Sequence, residues 1–282
     1  MQHSSTEGEK VMSVRFDDRV ALVTGSTQGL GRALLLQLAA DGLAGAVVTG
    51  RNAERGASVV AELHDLGCDA VFIAAELDSA EQVEMLVAGA DDRFGRIDHL
   101  ANCAGVTDRG DVWTITADFW DWMMAVNVRA PFLLAQGVAR IAERTARPAS
   151  IVNVGSVAGY GGPASITAYS VSKGALNTLT KSLAYQLMRH QIRVVQVNPG
   201  WMDTPGEDAI QREYHDADDD WLARAEAGRP FGRLIKPEEL ARTLAFVLSD
   251  DAGMLTGSII DYDQTVQGAG DAPFPPPLDR AS

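Results

Sequence analysis

A short apolar strand, a glycine-rich turn and a helix follow one another near the start of this chain. Residues 20–23 have strand-like composition, Gly25, Gly29 and Gly31 fall in the turn, and residues 32–38 have a helical pattern. Glycines in this context allow a tight turn, and the helix N-terminus that follows attracts a pyrophosphate. The flanking strand and helix make an ordinary glycine loop a poor explanation. The feature predicts a nucleotide-binding turn at the start of an α/β domain.

Strand-like and helix-like segments alternate through the rest of the chain. Strands are predicted at residues 20–24, 46–49, 70–74, 97–101, 150–154, 193–197 and 258–262. Helical patterns occupy the gaps, notably residues 81–94, 119–143, 168–188 and 237–248. This alternation predicts a Rossmann-type, doubly wound parallel sheet with helices on both faces. Ligands of such sheets bind beyond the carboxyl ends of the strands.

The domain organisation is predicted to be simple, because no internal repeat or linker interrupts the alternation. Residues 1–14 are polar and are expected to form a flexible extension. Residues 15–267 are expected to form one α/β domain. Residues 268–282 contain a Pro-rich run that cannot be helical, and we expect an extended tail there.

Composition excludes several classes of partner. The formal net charge of −14, without a long basic run, argues against nucleic acid and anionic membranes. No apolar run approaches the roughly 18 residues of a membrane span, and the N-terminus lacks the apolar core of a signal peptide. Cys68 and Cys103 lie apart and form no metal-ligand grouping, so no metal is expected. Two free cysteines fit the reducing cytoplasm.

Tyr169 and Lys173 are the residues that point most directly to chemistry. They lie four residues apart in a helical pattern, so both side chains lie on one helix face. A cation beside a phenol stabilises the phenolate and is expected to lower the tyrosine pKa from about 10. Such a tyrosine can exchange a proton with an alcohol or ketone near neutral pH.

The chain resembles the short-chain dehydrogenase/reductase family over residues 16–266. Six motifs carry the resemblance in the family's order: the glycine turn at residues 24–31, Asn-Cys-Ala-Gly at 102–105, Asn127, Ser156, the Tyr169/Lys173 pair, and Asn-Pro-Gly at 198–200 followed by Thr204. The resemblance implies an NAD(P)-dependent enzyme that acts on a CH–OH group. Two departures, at Cys103 and Gly155, do not affect the catalytic positions.

The family's catalytic residues match Asn127, Ser156, Tyr169 and Lys173. By resemblance, Ser156 hydrogen-bonds the substrate oxygen, Tyr169 is the general acid/base, and Lys173 lowers the tyrosine pKa and holds the nicotinamide ribose. Asn127 anchors a water that connects Lys173 to solvent. The cofactor-binding residues implied are Gly25, Ser26, Thr27, Gln28, Gly29, Leu30, Gly31, Arg51, Asn52, Asn102, Ala104, Gly105, Tyr169, Lys173, Pro199, Gly200 and Thr204.

The end of the second predicted strand indicates the cofactor. NAD-using relatives usually place Asp near position 50 to bind the adenosine ribose, but this chain has Gly50 followed by Arg51. A guanidinium there can clamp a 2′-phosphate through charge-assisted hydrogen bonds, which favours NADP(H) over NAD(H). The alternative is that Arg51 is an exposed loop residue. Gln28 leaves the turn without a second basic clamp.

The substrate is predicted only by class, as a secondary alcohol or its ketone. Sugars, polyols, cyclic alcohols and 3-ketoacyl compounds all remain open, and an acidic segment between residues 204 and 233 disfavours a strongly anionic substrate. Candidate substrate residues are Arg109, Trp113, Tyr160, Trp201 and Met202, with Tyr214 and Trp221 beside them. A nucleotide-binding regulator without turnover is a further alternative, but such proteins usually lose the tyrosine or lysine.

A homotetramer is predicted, with a homodimer as the alternative. The helical segments that carry Asn127 and Tyr169 are rich in apolar residues: Phe132, Leu133, Leu134, Leu176, Leu179, Leu183 and Leu187. A helix that is apolar on two faces needs a second partner, and a symmetric pair of such surfaces closes as a two-fold interface. The alternative is that neighbouring helices of the same subunit cover these residues.

Overall fold

The computed structural model describes residues 15–267 and residue 269. The predicted N-terminal extension at residues 1–14 lies outside the described residues. So does the predicted Pro-rich tail at 268–282, apart from Ala269. The expectations for these two segments therefore stay predictions.

Seven parallel strands form the central sheet in the order β3-β2-β1-β4-β5-β6-β7. The strands are β1 (Val20–Thr24), β2 (Gly45–Gly50), β3 (Asp69–Ala74), β4 (His99–Asn102), β5 (Ala149–Val154), β6 (Ile192–Pro199) and β7 (Ile259–Tyr262). The order reverses between β1 and β4, which leaves a crevice at their carboxyl ends. The central strands are buried on both faces, as expected for a parallel sheet covered by helices.

Helices cover both faces and bury two apolar clusters. They are α1 (Gly29–Ala40), α2 (Ala53–Asp65), α3 (Ala80–Phe94), α4 (Ala117–Met124), α5 (Ala130–Thr145), α6 (Thr167–Leu187), α7 (Pro205–His215), α8 (Trp221–Ala227) and α9 (Pro237–Leu248). One cluster contains Leu34 of α1 and Leu244 of α9. The other contains Leu86, Leu134 and Leu183 of α3, α5 and α6. The predicted doubly wound fold is confirmed.

The helix predicted over residues 119–143 is interrupted by a π-helical turn at Ala125–Arg129. Within it, the N–H of Ala130 bonds to the carbonyl of Ala125 rather than to the residue four positions back. Pro131 explains the interruption, because it has no N–H and its ring crowds the carbonyl four residues earlier, that of Asn127. The prediction of one regular helix was wrong here, and Asn127 lies in the middle of the widened turn.

Candidate active site

The predicted catalytic and cofactor-binding residues meet at the carboxyl edge of the sheet. Gly25 follows β1 directly, Asn102 ends β4, Ser156 follows β5 by one residue, and Pro199 ends β6. These strands are neighbours in the order β1-β4-β5-β6. The alternating pattern of strands and helices therefore brings together residues that lie far apart in the sequence.

The glycine turn has the shape of a phosphate cradle. Gly25 and Gly29 have φ values of 63° and 55°, a region that favours glycine. A Cβ added to Gly31 would lie 2.6 Å from the carbonyl oxygen of Gly25, so a side chain there has no room. Helix α1 begins at Gly29 without an acidic residue in its first turn or a side-chain cap. Its free N–H groups and positive dipole end suit a pyrophosphate.

Ser26 and Thr27 shape the turn through their side chains. The Ser26 hydroxyl donates to the Val23 carbonyl at 2.7 Å and accepts from the Thr49 N–H at 3.0 Å. Ser26 is fully buried, and its N–H also donates to the Thr49 carbonyl at 3.1 Å, so the residue joins the turn to β2. A Cβ at Gly50 would lie 2.9 Å from Cγ2 of Thr27. Thr27 therefore occupies the space that an aspartate at position 50 would need.

Two arginines flank the expected adenosine end of the turn. Arg51 is exposed and forms no hydrogen bond or ion pair with any residue the structure describes. Arg55, in the first turn of α2, donates from Nη1 to Oε1 of Gln28 at 2.7 Å. Asn52 caps α2 by accepting from the Arg55 N–H at 2.8 Å. Arg55 was not predicted; its place in the first turn after Arg51 was the available signal.

The segment after β4 lies against both the glycine turn and Lys173. Asn102 donates to Oδ1 of Asn153 at 2.8 Å, which joins β4 to β5. The N–H of Ala104 donates to the Thr24 hydroxyl at 3.1 Å. A Cβ at Gly105 would lie 3.3 Å from Nζ of Lys173. Position 105 therefore has little room for a side chain beside the lysine.

The Asn127 side chain hydrogen-bonds both the loop after β4 and helix α6. Its Oδ1 accepts from the Val106 N–H and its Nδ2 donates to the Val106 carbonyl, both at 3.0 Å. The same Nδ2 donates to the Ser172 hydroxyl at 3.0 Å. Ser172 precedes Lys173, so the buried Asn127 side chain fixes the loop after β4 against α6.

Lys173 is buried and directed at the serine segment. Its Nζ donates to the carbonyl of Val154 at 2.9 Å, and burial lowers its pKa to about 8. The Ser156 hydroxyl accepts from the Ala158 N–H at 3.1 Å, at the start of a short 3₁₀ turn. Both interactions hold the segment that leaves β5.

Tyr169 is partly buried and lies near Ser156. The pKa of Tyr169 is raised above 10, chiefly because the phenol is buried. The Glu207 carboxylate also raises this pKa, whereas Ser156 and the charge of Arg109 lower it. The predicted lowering by Lys173 is wrong for this structure. Nζ lies 5.7 Å from the tyrosine ring centroid and is directed at Val154, so burial of the phenol has the larger effect.

The segment after β6 closes one side of the site. A Cβ at Gly200 would overlap with the Asp263 carboxylate, so only glycine fits beside it. The Thr204 hydroxyl caps α7 by accepting from the Glu207 N–H at 3.0 Å. Thr204 also lies next to the glycine turn, 3.9 Å from where a Cβ on Gly29 would be. The predicted closing segment is therefore near the phosphate cradle.

The candidate substrate residues divide into two groups. Trp201 donates from Nε1 to Glu207 at 2.7 Å, and Arg109 donates to the Thr107 carbonyl at 2.6 Å and to His215 at 3.3 Å. Because Glu207 and Arg109 both act on the Tyr169 pKa, this group belongs to the site. The second group lies at its margin.

The second group consists of Tyr160, Trp113 and Met202. The Tyr160 hydroxyl donates to Asp261 at 2.9 Å and accepts from Asn198 at 3.3 Å. Trp113 is 89% exposed, and Met202 packs against the core cluster beneath α1 and α9.

Among residues 15–267 and 269, no helix combines the length and the apolar character needed to cross a membrane. No group of three or more His, Cys, Asp or Glu side chains among them is arranged to hold a metal ion.

Comparison with known proteins identifies the family. The family model described as enoyl-(acyl carrier protein) reductase matches residues 25–266. Cyclohexanol dehydrogenase from Acinetobacter sp. (strain SE19) is 34% identical over 252 residues, which cover 89% of this chain and 95% of that enzyme. The 3-oxoacyl-[acyl-carrier-protein] reductase FabG from Thermotoga maritima is 32% identical over 252 residues, which cover 89% and 98%.

A solved structure agrees with these relatives. The crystal structure of an actinorhodin polyketide ketoreductase variant with NADPH superimposes with a TM-score of 0.81 at 28% identity, covering 87% of this chain and 96% of that one. The chain belongs to the short-chain dehydrogenase/reductase family of oxidoreductases.

Proposed function

We propose that this protein interconverts a secondary alcohol and its ketone with a nicotinamide cofactor, using Tyr169 as the general acid/base. The observation that carries the proposal is the meeting of Ser156, Tyr169 and Lys173 at the same sheet edge as the glycine cradle. The tight turn, in which a Cβ at Gly25 or Gly31 would clash with neighbouring backbone, and the uncapped start of α1 support dinucleotide binding there. The cofactor, when bound, accepts or supplies the hydride.

The remaining chemistry belongs to side chains of this chain. The Ser156 hydroxyl binds the substrate oxygen and orients it toward the phenol of Tyr169. Tyr169 removes the hydroxyl proton during oxidation and returns it during reduction. The buried Lys173 ammonium holds the segment before Ser156, with its Nζ 5.7 Å from the centroid of the Tyr169 ring. Asn127 positions Lys173 through Ser172, and Pro131 leaves the Asn127 carbonyl without its usual helical N–H partner.

NADP(H) is the proposed cofactor, with NAD(H) as the alternative. Arg51 is exposed and has no hydrogen-bond partner among the described residues. Arg55, in the first turn of α2, donates to Gln28 of the glycine turn. Two guanidinium groups on this side favour a 2′-phosphate, which Arg binds by paired, charge-assisted hydrogen bonds. A Cβ at position 50 would lie 2.9 Å from the Thr27 methyl, so an aspartate there would require Thr27 to shift. The NADPH of the ketoreductase structure is consistent with this preference.

The substrate is proposed to be a neutral secondary alcohol, such as a cyclic alcohol, polyol or sugar, or the corresponding ketone. The similarity to cyclohexanol dehydrogenase supports a cyclic alcohol. The FabG relative supports 3-ketoacyl reduction as the second candidate. A regulator without turnover is less well supported, because Tyr169 and Lys173 are both present and placed together.

A cytoplasmic homotetramer, with a homodimer as the alternative, is proposed for the assembly. Phe132 on α5 and Val171 on α6 are 40% and 44% exposed, which supports an apolar contact surface. Of the other six leucines in the sequence prediction, five (Leu133, Leu134, Leu179, Leu183 and Leu187) lie in or pack against the cluster beneath these helices, and Leu176 is buried elsewhere. Light scattering at micromolar concentration tests the proposal, and a stable, active monomer would contradict it.

A substrate panel tests the proposed reaction. Cyclic alcohols, polyols, sugars and their ketones are offered with NAD(H) and NADP(H), alongside a 3-ketoacyl thioester, and nicotinamide absorbance is followed. Turnover of a neutral alcohol or ketone is the expected result. Turnover of the thioester alone would favour the second candidate. Cofactor binding without turnover of any compound would favour a regulator.

A further inference from the structure

The turn that carries Ser156 is anchored at its far end by a contact with the edge of the sheet. Ser156 precedes a 3₁₀ turn at Val157–Tyr160, and the Tyr160 hydroxyl donates to Oδ1 of Asp261 at 2.9 Å. Asp261 is the third residue of β7, the last strand of the sheet, which lies two strands away from β5. The contact therefore joins the serine turn to a strand that is not the neighbour of β5.

The same turn lies directly on helix α6. A Cβ at Gly159 would lie 3.0 Å from the carbonyl carbon of Lys173, so the turn and the helix backbone are in close contact. Tyr169 lies one helical turn before Lys173 on α6. Any movement of the serine turn along the helix would therefore change the distance between the Ser156 hydroxyl and the Tyr169 phenol.

A buried amide reinforces the contact between Tyr160 and Asp261. Nδ2 of Asn198 donates to Oδ1 of Asp261 at 3.2 Å and to the Tyr160 hydroxyl at 3.3 Å. An ionised carboxylate only accepts hydrogen bonds, so the amide nitrogen of Asn198 must face Asp261 and its oxygen must face away. That oxygen accepts from Nε2 of Gln196 at 2.7 Å, and both amide side chains belong to fully buried residues.

The hydrogen bonds continue from Gln196 toward the site. Its Oε1 accepts from the Thr180 hydroxyl at 2.9 Å, and that hydroxyl accepts from Nδ2 of Asn153 at 2.8 Å. Thr180 lies two turns after Lys173 on the same face of α6. Asn153 lies on β5, one residue before the carbonyl that Lys173 bonds. The carboxylate of Asp261 therefore sets the direction of a chain of hydrogen bonds that joins β7, β6, α6 and β5.

We propose that Asp261 is a positioning residue for the reaction, and that its carboxylate, through Tyr160, fixes the turn from which Ser156 binds the substrate oxygen. This inference rests on the proposed function, because it gives Asp261 a part in the same reaction. The hydrogen-bond partners of Asp261 are Tyr160 and Asn198, so it acts on the site through them rather than by contact with substrate or cofactor.

Two substitutions of Asp261 test the proposal. Asp261→Val removes the acceptor and keeps a residue suited to a strand, whereas Asp261→Asn keeps a carbonyl oxygen that can accept from Tyr160. We expect Asp261→Val to lower kcat roughly tenfold with little change in cofactor affinity, because a misplacement of about 1 Å can cost about 10²-fold in rate. Asp261→Asn should retain most of the turnover. Urea unfolding of each variant ensures that kcat refers to folded protein.

The ¹³Cζ resonance of Tyr169 provides a readout that needs no substrate. Ser156 interacts with the Tyr169 phenol and lowers its pKa, so Ser156→Ala gives the resonance position of a phenol without that partner. The measurement uses the full-length, cofactor-free protein at neutral pH. Asp261→Val should shift the resonance toward the Ser156→Ala position, and Asp261→Asn should leave it near the wild-type position.

Tyr160→Phe keeps the test valid if Asp261→Val fails to fold. It removes the hydroxyl that donates to Asp261, so it should cause the same resonance shift and the same loss of kcat. Tyr185→Phe, at an exposed position of α6, is the matched control. An unmoved Tyr169 resonance, or an unchanged kcat, in both Asp261→Val and Tyr160→Phe would overturn the proposal. A shifted resonance in a protein that turns over no alcohol or ketone would contradict the proposed reaction while supporting the positioning of Ser156 by Asp261.

Discussion

Nζ of Lys173 lies 2.9 Å from the carbonyl oxygen of Val154, two residues before Ser156. This bond joins α6, which carries Tyr169, to β5, which leads to Ser156. The lysine is therefore a structural tie as well as the cation of the site. Its burial makes that tie costly, because a buried ammonium is removed from water.

Lys173→Met is expected to abolish most turnover while raising the stability of the cofactor-free protein. Burial lowers the pKa of Lys173 to about 8, so the folded state disfavours the charge that the unfolded chain carries up to about pH 10.5. Below about pH 8 this penalty is constant, and it diminishes as the pH rises through 8 toward 10.5. Urea unfolding at pH 7 should show a gain of roughly 1–3 kcal/mol.

The stability gain of Lys173→Met has two possible causes, removal of a buried charge and better packing by methionine, and only the first depends on pH. The stability gain of Lys173→Met should shrink between about pH 8 and 10 because the wild type loses its penalty there. A gain that is constant over this range, or a loss of stability at pH 7, contradicts it. Lys181→Met, on an exposed position of the same helix, is the matched control.

Arg51→Ala and Arg55→Ala should each weaken NADP(H) binding more than NAD(H) binding. A charge-assisted contact contributes roughly 1.5–3 kcal/mol, or about tenfold or more in affinity. Arg55→Ala also releases Gln28, so a smaller effect on NAD(H) is expected as well. Binding is measured by fluorescence titration with both cofactors. Arg242→Ala, on α9, is the control, and equal losses for both cofactors would show that the arginines do not contact the 2′-phosphate.

Gly155→Ala is expected to destabilise the protein and to slow turnover. A methyl group at position 155 would overlap with the side chains of Asn198 and Gln196, which are buried and bonded to each other at 2.7 Å. Overpacking of this kind costs roughly 1–3 kcal/mol, and the displaced segment carries Ser156. Gly206→Ala in α7 is the control, because its nearest neighbour would lie 3.9 Å away. A smaller cost of Gly155→Ala in an Asn198→Ala/Gln196→Ala background would identify the clash, and an equal cost in that background would exclude it.

The buried His99 predicts that the protein loses stability in acid. Its folded pKa of about 4 lies below the value of 6.5 expected when unfolded, so between these values the unfolded chain binds a proton that the folded chain does not. Stability should therefore fall by about 3 kcal/mol as the pH drops from about 6.5 to 4. His99→Phe removes this contribution, so its unfolding free energy should fall less over the same window. Parallel losses in the two proteins would show that His99 does not contribute.

The sequence predicted the features that follow from local spacing and strand order. Tyr169 and Lys173 share a helix face because of their four-residue separation, and Ser156 and Asn102 lie at one edge because parallel strands align their carboxyl ends. The confirmed fold follows from the same alternation. The π-helical turn was missed, although Pro131 four residues after Asn127 carried the signal.

The features that the sequence did not predict depend on contacts between distant residues. Tyr160 was expected near the substrate, but it bonds to Asp261, 101 positions later. Lys173 also makes a tertiary contact, from its Nζ to the Val154 carbonyl. The lysine therefore does not lower the Tyr169 pKa as the sequence predicted. Spacing along one helix cannot reveal what burial and a neighbouring strand do to a side chain.

The most direct test of the proposed function is the turnover of Tyr169→Phe, measured beside its cofactor affinity with a substrate identified by the panel. Phenylalanine keeps the ring and removes the hydroxyl that exchanges the proton. We predict that turnover falls by roughly 10² or more, the scale of general acid/base catalysis, while cofactor affinity is retained. Turnover near that of the wild type, with cofactor still bound, would contradict the role of Tyr169 and with it the proposed mechanism.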